Sequence, residues 1–219
     1  MTYTTIHLVR HGEVYNPEHV LYERLPGYHL SERGQRMARR TAQYLAANSG
    51  TSRACAIYSS PLERAQETAQ RILDAVNAAR EGRGQDRLEL LTDDRLIEAG
   101  NEFRGKTVGR GDGAFWHNGN WKLVTNLYKP SWGESYRHIV HRMSDFIRET
   151  IDAHPDSDVI VVSHESPIWC FRCLMETGRP EHNMFKRNAA LASVTSFTFD
   201  DDTHKLMGIA YADPASRVK

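Results

Sequence analysis

The stretch Thr5-Ile6-His7-Leu8-Val9-Arg10-His11-Gly12-Glu13 decides the fold of this chain. Its first five residues are rich in β-branched and apolar side chains, which is typical of a short buried β-strand. Arg10, His11 and Gly12 follow at the point where that strand should end. We therefore predict a strand over residues 5–9, followed by a loop that carries reactive polar side chains.

Two more predicted strands also end at polar residues. Residues 54–58 lead into Ser59-Ser60-Pro61, where Ser60 fits a helix N-cap and Pro61 the first helical position. Arg64 then falls in the first turn of that helix. Residues 158–162 form the most apolar strand, and they end at Ser163-His164.

Strands that alternate with helical patterns predict an α/β fold with a mostly parallel central sheet and helices on both faces. Residues 193–199 and 206–211 add a hairpin around the turn at residues 200–202. Sites in such sheets form beyond the carboxyl ends of the strands. We therefore expect Arg10, His11, Arg64 and His164 to converge.

Composition narrows the class of protein. The chain has 219 residues, 40% of them hydrophobic, which suits one domain. Lys plus Arg and Asp plus Glu each number 28, so no net charge points to a nucleic acid or a membrane surface as partner. No apolar stretch approaches the ~18 residues of a membrane helix, and we expect a cytoplasmic protein.

The chain contains Cys55, Cys170 and Cys173, an odd and sparse set that argues against a disulfide framework. Cys170 and Cys173 form a C-x-x-C pattern on a predicted helix. We interpret them as packing thiols rather than a redox pair, because no βαβ unit carries the motif at its first turn. The histidines likewise show no metal-ligand spacing, so we predict no metal.

The segment at about residues 100–132 is rich in glycine and contains Trp116, Trp121 and Trp132. Such a segment is too aromatic for a plain linker. We predict an excursion that covers a site, with the indoles either lining a pocket or packing beneath it.

The four convergent residues suit phosphate chemistry. The guanidinium groups of Arg10 and Arg64 match phosphate oxygens with paired donors. A neutral imidazole at His11 would be a competent nucleophile toward phosphorus. His164, if protonated, would donate to the charge that spreads over the oxygens in the transition state.

An alkoxide leaving group also needs a proton, which a carboxyl group in the pocket would supply. The candidates are Asp93, Asp94, Glu98 and Glu102. We favour Glu98, which follows Arg95-Leu96-Ile97 and is expected to enter the site from a strand or turn.

The segment Leu8-Val9-Arg10-His11-Gly12-Glu13 resembles the signature of the histidine phosphatase superfamily, also called the phosphoglycerate mutase-like family. The resemblance extends over most of the chain. It includes Asn16, residues 25–27, 30–34 and 59–69, Leu96-Ile97-Glu98, Gly133-Glu134-Ser135 and Val161-Val162-Ser163-His164.

The resemblance implies a three-layer sandwich in which residues 1–219 form a single domain. It also implies a role for each matched residue, with no metal or organic cofactor. His11 would accept the phosphoryl group, Arg10, Arg64 and His164 would bind phosphate, Glu98 would donate the proton, and Asn16 would be a secondary phosphate contact.

Two departures from the family pattern stand out. Glu165 replaces the glycine that commonly follows the second histidine, and it would repel a polyanionic substrate or contact a cationic or hydroxylated one. Residues 100–105 fit the family's acidic-aromatic-glycine pattern only loosely, which leaves the choice between Glu98 and Glu102 open.

Three functions fit these residues. A phosphomonoester hydrolase is the leading hypothesis, with a small-molecule phosphate ester as partner. A phosphoglycerate mutase would need further cationic contacts for the carboxylate of its substrate. Residues 106–129 contain few paired basic residues, and Glu165 adds a negative charge that would disfavour such a substrate. A non-catalytic module that binds phosphorylated ligands is the third. Residues 192–199 are expected to offer an edge strand through which copies could pair as a homo-oligomer.

Overall fold

One six-stranded sheet organises the part of the chain that the computed structural model describes, which is residues 1–48, 51, 54–107, 133–182 and 187–219. The strands are β1 (Tyr3–Arg10), β2 (Ala56–Ser59), β3 (Leu90–Thr92), β4 (Asp158–Ser163), β5 (Val194–Asp200) and β6 (Leu206–Ala212). The α-helices are α1 (Glu32–Ala47), α2 (Glu63–Glu81), α3 (Tyr136–Ala153) and α4 (Glu165–Thr177). A 3₁₀ turn spans Asp94–Leu96.

The strand order is β3-β2-β4-β1-β5-β6. The first four strands are parallel, and β5 and β6 run antiparallel as a hairpin. The predicted mostly parallel sheet is therefore confirmed. The edge strand expected over residues 192–199 is wrong, because β5 pairs with β1 on one side and with β6 on the other.

Helices cover both faces of the sheet, as the alternation of side chains along each strand requires. On one face, α3 and α4 pack on the strands through Ile6, Leu8, Phe146, Val159, Val161 and Phe171. On the other face, α1 and α2 pack through Val9, Leu45, Ile57, Ile72, Ile160 and Val162. Both faces of β4 are therefore buried, which explains its continuous apolar sequence.

The N-cap of α2 is Leu62 rather than the predicted Ser60. The hydroxyl of Ser60 lies 2.8 Å from Nε2 of His164, and its oxygen also accepts from the N–H of Leu62 over 3.4 Å. Helix α4 begins at Glu165 with His164 as its N-cap, so Pro167 falls in its first turn. Proline is tolerated there because the first turn of a helix leaves its N–H groups without intrahelical partners.

Most of the predicted excursion, including Trp116, Trp121 and Trp132, lies outside the described residues. Its first part, residues 100–107, forms bends and turns beside the carboxyl end of the sheet. Asn101 makes an isolated antiparallel bridge to Gly133, so the two ends of the excursion meet. None of the described helices is long and apolar enough to span a membrane.

Candidate active site

Three neighbouring parallel strands deliver the predicted reactive residues to one place. His11 follows β1, His164 follows β4, and Arg64 lies in the first turn of α2 just after β2. The imidazole centroids of His11 and His164 are 5.1 Å apart, with the rings inclined at 61°. The exposed fraction is 2% for His11 and 0% for both Arg64 and His164.

The hydrogen bonds of His11 fix which nitrogen is available for reaction. Nδ1 lies 2.7 Å from the carbonyl oxygen of Gly12, which can only accept, so Nδ1 carries the proton. Nε2 then holds the lone pair. The Nε–H of Arg64 donates to it over 3.3 Å. The side chain therefore presents an oriented, unprotonated Nε2 to the site.

Electrostatics keep this imidazole neutral. Burial, followed by the charges of Arg64 and Arg10, holds the pKa of His11 well below its usual 6.5. A protonated imidazole has no lone pair for attack, so the same cations that would bind a phosphate also preserve the nucleophilic form.

His164 is oriented by Ser60, whose Oγ lies 2.8 Å from Nε2. Burial, followed by the neighbouring His11, Arg64 and Arg10, holds the pKa of His164 well below 6.5 as well. Both imidazoles are therefore neutral without a ligand. A bound phosphate dianion would favour the charged form of His164.

Each of the two arginines donates to a backbone carbonyl group, and Arg10 also forms an ion pair. Nη2 of Arg64 donates to the carbonyl of Glu23, and its guanidinium lies 4.8 Å from the ring centroid of Tyr22. Nη1 of Arg10 donates to Ala189 over 2.6 Å and lies 3.2 Å from Oε1 of Glu165. Both cations are thereby fixed in orientation.

Three polar atoms of this cluster are buried and make no hydrogen bond with the described residues. They are Nε of Arg10, Nη1 of Arg64 and Nδ1 of His164. Buried polar groups are normally paired, so three such atoms on residues that surround one imidazole indicate a place prepared for a ligand. Two of the three belong to guanidinium cations and can only donate, which suits an anionic ligand.

A cavity of about 290 Å³ opens above His11. Its walls come from the irregular stretches at residues 21–23, 98–101 and 133–134, from Arg187 and from the starts of α3 and α4. The lining residues include Arg10, Tyr22, Glu23, Glu98, Gly100, Asn101, Glu134, Tyr136, Glu165 and Arg187. The structure thus places Glu98 in the cavity, whereas Glu102 is exposed and does not line it.

Glu98 is positioned by contacts of its own backbone and of its neighbours. Its Oε1 accepts a hydrogen bond from the N–H of Ala99 over 2.8 Å, and its carbonyl accepts one from Nε of Arg24 over 2.7 Å. Upstream, the hydroxyl of Ser163 donates to the carbonyl of Leu96 over 2.7 Å. The end of β4 therefore anchors the segment that carries this carboxyl group.

Glu134 organises the wall opposite His11. Its carboxylate accepts from Arg24 over 2.7 Å and from Nε of Arg142 over 3.0 Å, and Gly100 donates to it over 3.3 Å. The helix N-cap beside it is Ser135. Glu134 therefore serves to hold the cavity wall rather than to cap α3.

Asn16 does not line the cavity above His11. Its Nδ2 donates to the carbonyl of Val20 over 2.8 Å, and its Oδ1 accepts from the N–H of the same residue over 3.1 Å. The carbonyl oxygen and one of the two N–H groups of the amide thus close a local loop. Asn16 lines an adjoining depression with Arg10 and Tyr22 instead.

The loop that carries His11 is locked against α1. A Cβ on Gly34 would lie 2.0 Å from the carbonyl oxygen of Glu13, and one on Gly12 would lie 2.6 Å from that of Gly34. The N–H of Gly12 also donates to Thr68 over 3.1 Å. The two glycines permit a backbone contact that fixes the imidazole in place.

Several residues of the site were missed from the sequence. They are Tyr22 and Glu23 on the wall, Ser60 beneath His164, and Tyr136 and Arg187 on the far side. Arg187 donates to His182 over 2.9 Å and to Ser166 over 3.0 Å. Only Ser60 had a usable signal, since it directly follows a buried strand.

The C-x-x-C pair lies on α4 as packing residues. Cys170 and Cys173 are buried and free, and burial raises the pKa of Cys170 to about 12 and that of Cys173 to about 11. Thiolates are thus strongly disfavoured, which supports the packing interpretation over a redox one.

The sequence and fold were compared with known proteins. The family model for the histidine phosphatase superfamily (branch 1) matches residues 6–211. The chain belongs to the histidine phosphatase superfamily. The members of this superfamily that resemble it include phosphatases and phosphoglycerate mutases, so this superfamily member is a phosphoryl-handling enzyme.

Three relatives illustrate its place among the histidine phosphatases. Uncharacterized protein Rv0525 of Mycobacterium tuberculosis is 41% identical over 213 residues, which cover 97% of this chain and 98% of that one. Phosphoserine phosphatase 1 of Hydrogenobacter thermophilus is 31% identical, with coverage of 77% and 74%. The native structure of mycobacterial glucosyl-3-phosphoglycerate phosphatase Rv2419c superposes with a TM-score of 0.74, at 20% identity and coverage of 96% and 99%.

Proposed function

We propose that this protein is a phosphomonoester hydrolase that works through a phosphohistidine on His11. The observation that carries the proposal is the set of three buried, unpartnered polar atoms on Arg10, Arg64 and His164 around an imidazole whose Nε2 is unprotonated. These atoms suit a tetrahedral oxyanion at in-line distance from a nucleophile.

The reaction would proceed in two displacements. In the first, Nε2 of His11 attacks phosphorus, the bond from phosphorus to the ester oxygen breaks, and the carboxyl group of Glu98 gives its proton to the departing alcohol. The arginines hold the phosphoryl oxygens throughout. The products of this step are the free alcohol and a phosphorylated His11.

In the second displacement, the carboxylate of Glu98 takes a proton from water as that water attacks phosphorus. The bond from phosphorus to Nε2 breaks, which releases inorganic phosphate and restores the neutral imidazole. The lowered pKa of His11 favours this return to the unprotonated form.

Hydrolysis is favoured over transfer between two positions of one substrate. A mutase must hold a second anionic group while the phosphoryl group stays in the site. Here Glu165 places a carboxylate 3.2 Å from Arg10, where it opposes a further anion. The assay of 3-phosphoglycerate interconversion beside ester hydrolysis separates the two activities.

The test is to trap the intermediate. Rapid acid-free denaturation during turnover of labelled phosphate ester should leave about one acid-labile phosphoryl group per chain, located at His11 by mass spectrometry. His11→Ala should abolish both the adduct and turnover, whereas His141→Ala, at an exposed position on α3, should retain both. Turnover that persists in His11→Ala would contradict the proposal, and absence of turnover in the parent chain would favour a non-catalytic phospho-ligand module.

A further inference from the structure

Glu23 has an arrangement that the phosphate chemistry leaves unexplained. It lines the cavity beside Tyr22, yet only 6% of its surface is exposed. Among the described residues, the backbone N–H of Asn101 approaches the carboxylate and lowers its pKa, but no donor meets full hydrogen-bonding geometry at either oxygen. A buried carboxylate normally finds partners, so both oxygens are left to receive donors from a ligand.

The surroundings of this carboxylate do not neutralise it. Nε of Arg104 lies 4.0 Å away, at the limit of an ion pair, and Arg24 is engaged by Glu98 and Glu134. Burial outweighs these cations and raises the pKa of Glu23 above its usual value. The site therefore tolerates an unfavourable carboxyl group at its wall.

The backbone at Glu23 is also unfavourable for this residue type. Its φ is 40°, in the left-handed region that residues with a Cβ rarely adopt. This turn positions the carbonyl of Glu23 so that it accepts a hydrogen bond from Nη2 of Arg64. Glycine would make the same turn without strain, so the turn alone does not require a carboxylate at this position.

We propose that Glu23 is a specificity-determining residue whose carboxylate accepts a hydrogen bond from a hydroxyl or ammonium group on the alcohol portion of the phosphate ester. The inference rests on the proposed phosphatase function. It follows from the place of Glu23 in the same cavity as His11 and Glu98, between which the ester oxygen must sit. The substrate class is a phosphate ester of a polyol or of an amino alcohol.

Three esters with equal carbon chains test this proposal: glycerol 1-phosphate, 3-aminopropyl phosphate and propyl phosphate. The parent enzyme should favour at least one donor-bearing ester over propyl phosphate by about tenfold in kcat/KM, the effect of one hydrogen bond to a charged group. Whichever of the first two is preferred identifies the donor as hydroxyl or ammonium.

Glu23→Gly should bring that ratio close to one, because it removes the acceptor and keeps the turn. Glu23→Gln, which keeps the side-chain volume, should lower the ratio as well and serves if the first variant does not fold. The matched control is Glu102→Gln, at an exposed position outside the cavity, which should keep the parent ratio.

The outcomes separate the two proposals. Turnover of propyl phosphate with no preference in the parent enzyme, or with a preference that both Glu23 variants retain, would overturn the role of Glu23 alone. Failure to hydrolyse any of the three esters would overturn the phosphatase function, and the role of Glu23 with it.

Discussion

Nε of Arg64 lies 3.3 Å from Nε2 of His11, so one cation of the site is hydrogen bonded to the atom that would attack phosphorus. Without a substrate, this bond occupies the lone pair of the imidazole. A phosphate ester that draws the guanidinium onto its oxygens would release the lone pair. Binding of the anion and exposure of the nucleophile are thus coupled through a single side chain.

The first prediction concerns Arg64→Lys. Lysine retains the positive charge but replaces the planar guanidinium, with its several fixed N–H donors, by a single compact ammonium group. The ammonium group cannot contact the ring of Tyr22 and the carbonyl of Glu23 at the same time. We expect kcat/KM for any phosphate ester to fall by roughly 100-fold, a typical loss for one transition-state donor. Arg71→Lys, in the middle of the same helix and hydrogen bonded to Gln35 rather than to the site, is the control and should change kcat/KM by less than about twofold. Equal activity of Arg64→Lys and the parent would remove Arg64 from the phosphate site.

The second prediction distinguishes Glu98 as proton donor from Glu102. Glu98→Gln should lower kcat for an alkyl phosphate by about 10² to 10⁴-fold, the usual contribution of a general acid. The loss should be much smaller for 4-nitrophenyl phosphate, whose leaving group departs without a proton. Steady-state kinetics with both esters provide the measurement. If Glu102→Gln shows the dependence on leaving group instead, the assignment of the acid is wrong.

The third prediction addresses the glycine contact behind His11. Gly34→Ala would push a methyl group into the carbonyl of Glu13, only 2.0 Å from the ideal Cβ position. We expect the free energy of unfolding to fall by about 1–3 kcal/mol, as in overpacked cores, with a loss of activity as the loop moves. Gly208→Ala is the matched control, because nothing lies within 4 Å of its Cβ position. Chemical denaturation of both variants checks the difference.

The fourth prediction concerns acid stability. The pKa of His11 and that of His164 are lowered in the folded chain, so below pH 6.5 the unfolded chain binds protons that the folded chain does not. Stability should therefore fall as the pH drops, by about 1 kcal/mol per ring between pH 6.5 and 5.5. Above pH 6.5, both states are neutral at these rings and the effect vanishes.

Denaturant unfolding at a series of pH values measures this slope. His164→Gln should be less sensitive to acid than the parent by about 1 kcal/mol over that pH unit, whatever its absolute stability. His141→Gln, at an exposed ring, should keep the parent slope. An unchanged slope in His164→Gln would show that the ring is not held neutral by the fold.

Local patterns were sufficient to predict the layers of this fold and the strand ends that meet in the site. The continuous apolar run before Ser163 favoured a strand buried on both faces, and this placed His164 at the end of a strand. Ser60 was misjudged because its hydroxyl had two partners available, a helix terminus and an imidazole. The choice between them depends on β4, which lies about 100 residues further along the chain.

The wall of the cavity could not be predicted in the same way. Asn16 carried a suitable amide, but the chain after it turns back so that Val20 bonds to its carbonyl oxygen and to its amide nitrogen. Glu23 reaches the cavity because its backbone adopts a left-handed conformation. Glycine usually marks such a turn in a sequence, and none stands at this position. Such placements depend on the path of an irregular segment, for which side-chain periodicity carries no information.

The residues of the site are divided between the ends of the strands and the irregular connections, and this division has an evolutionary consequence. His11, Arg64 and His164 are anchored where rigid strands end, whereas Tyr22, Glu23 and Gly100 belong to stretches between regular elements. We expect substitutions in those stretches to change which ester the proposed phosphatase accepts, without disturbing the residues that would bind phosphate. Directed evolution of new substrate ranges should therefore begin with residues 21–23 and 99–101.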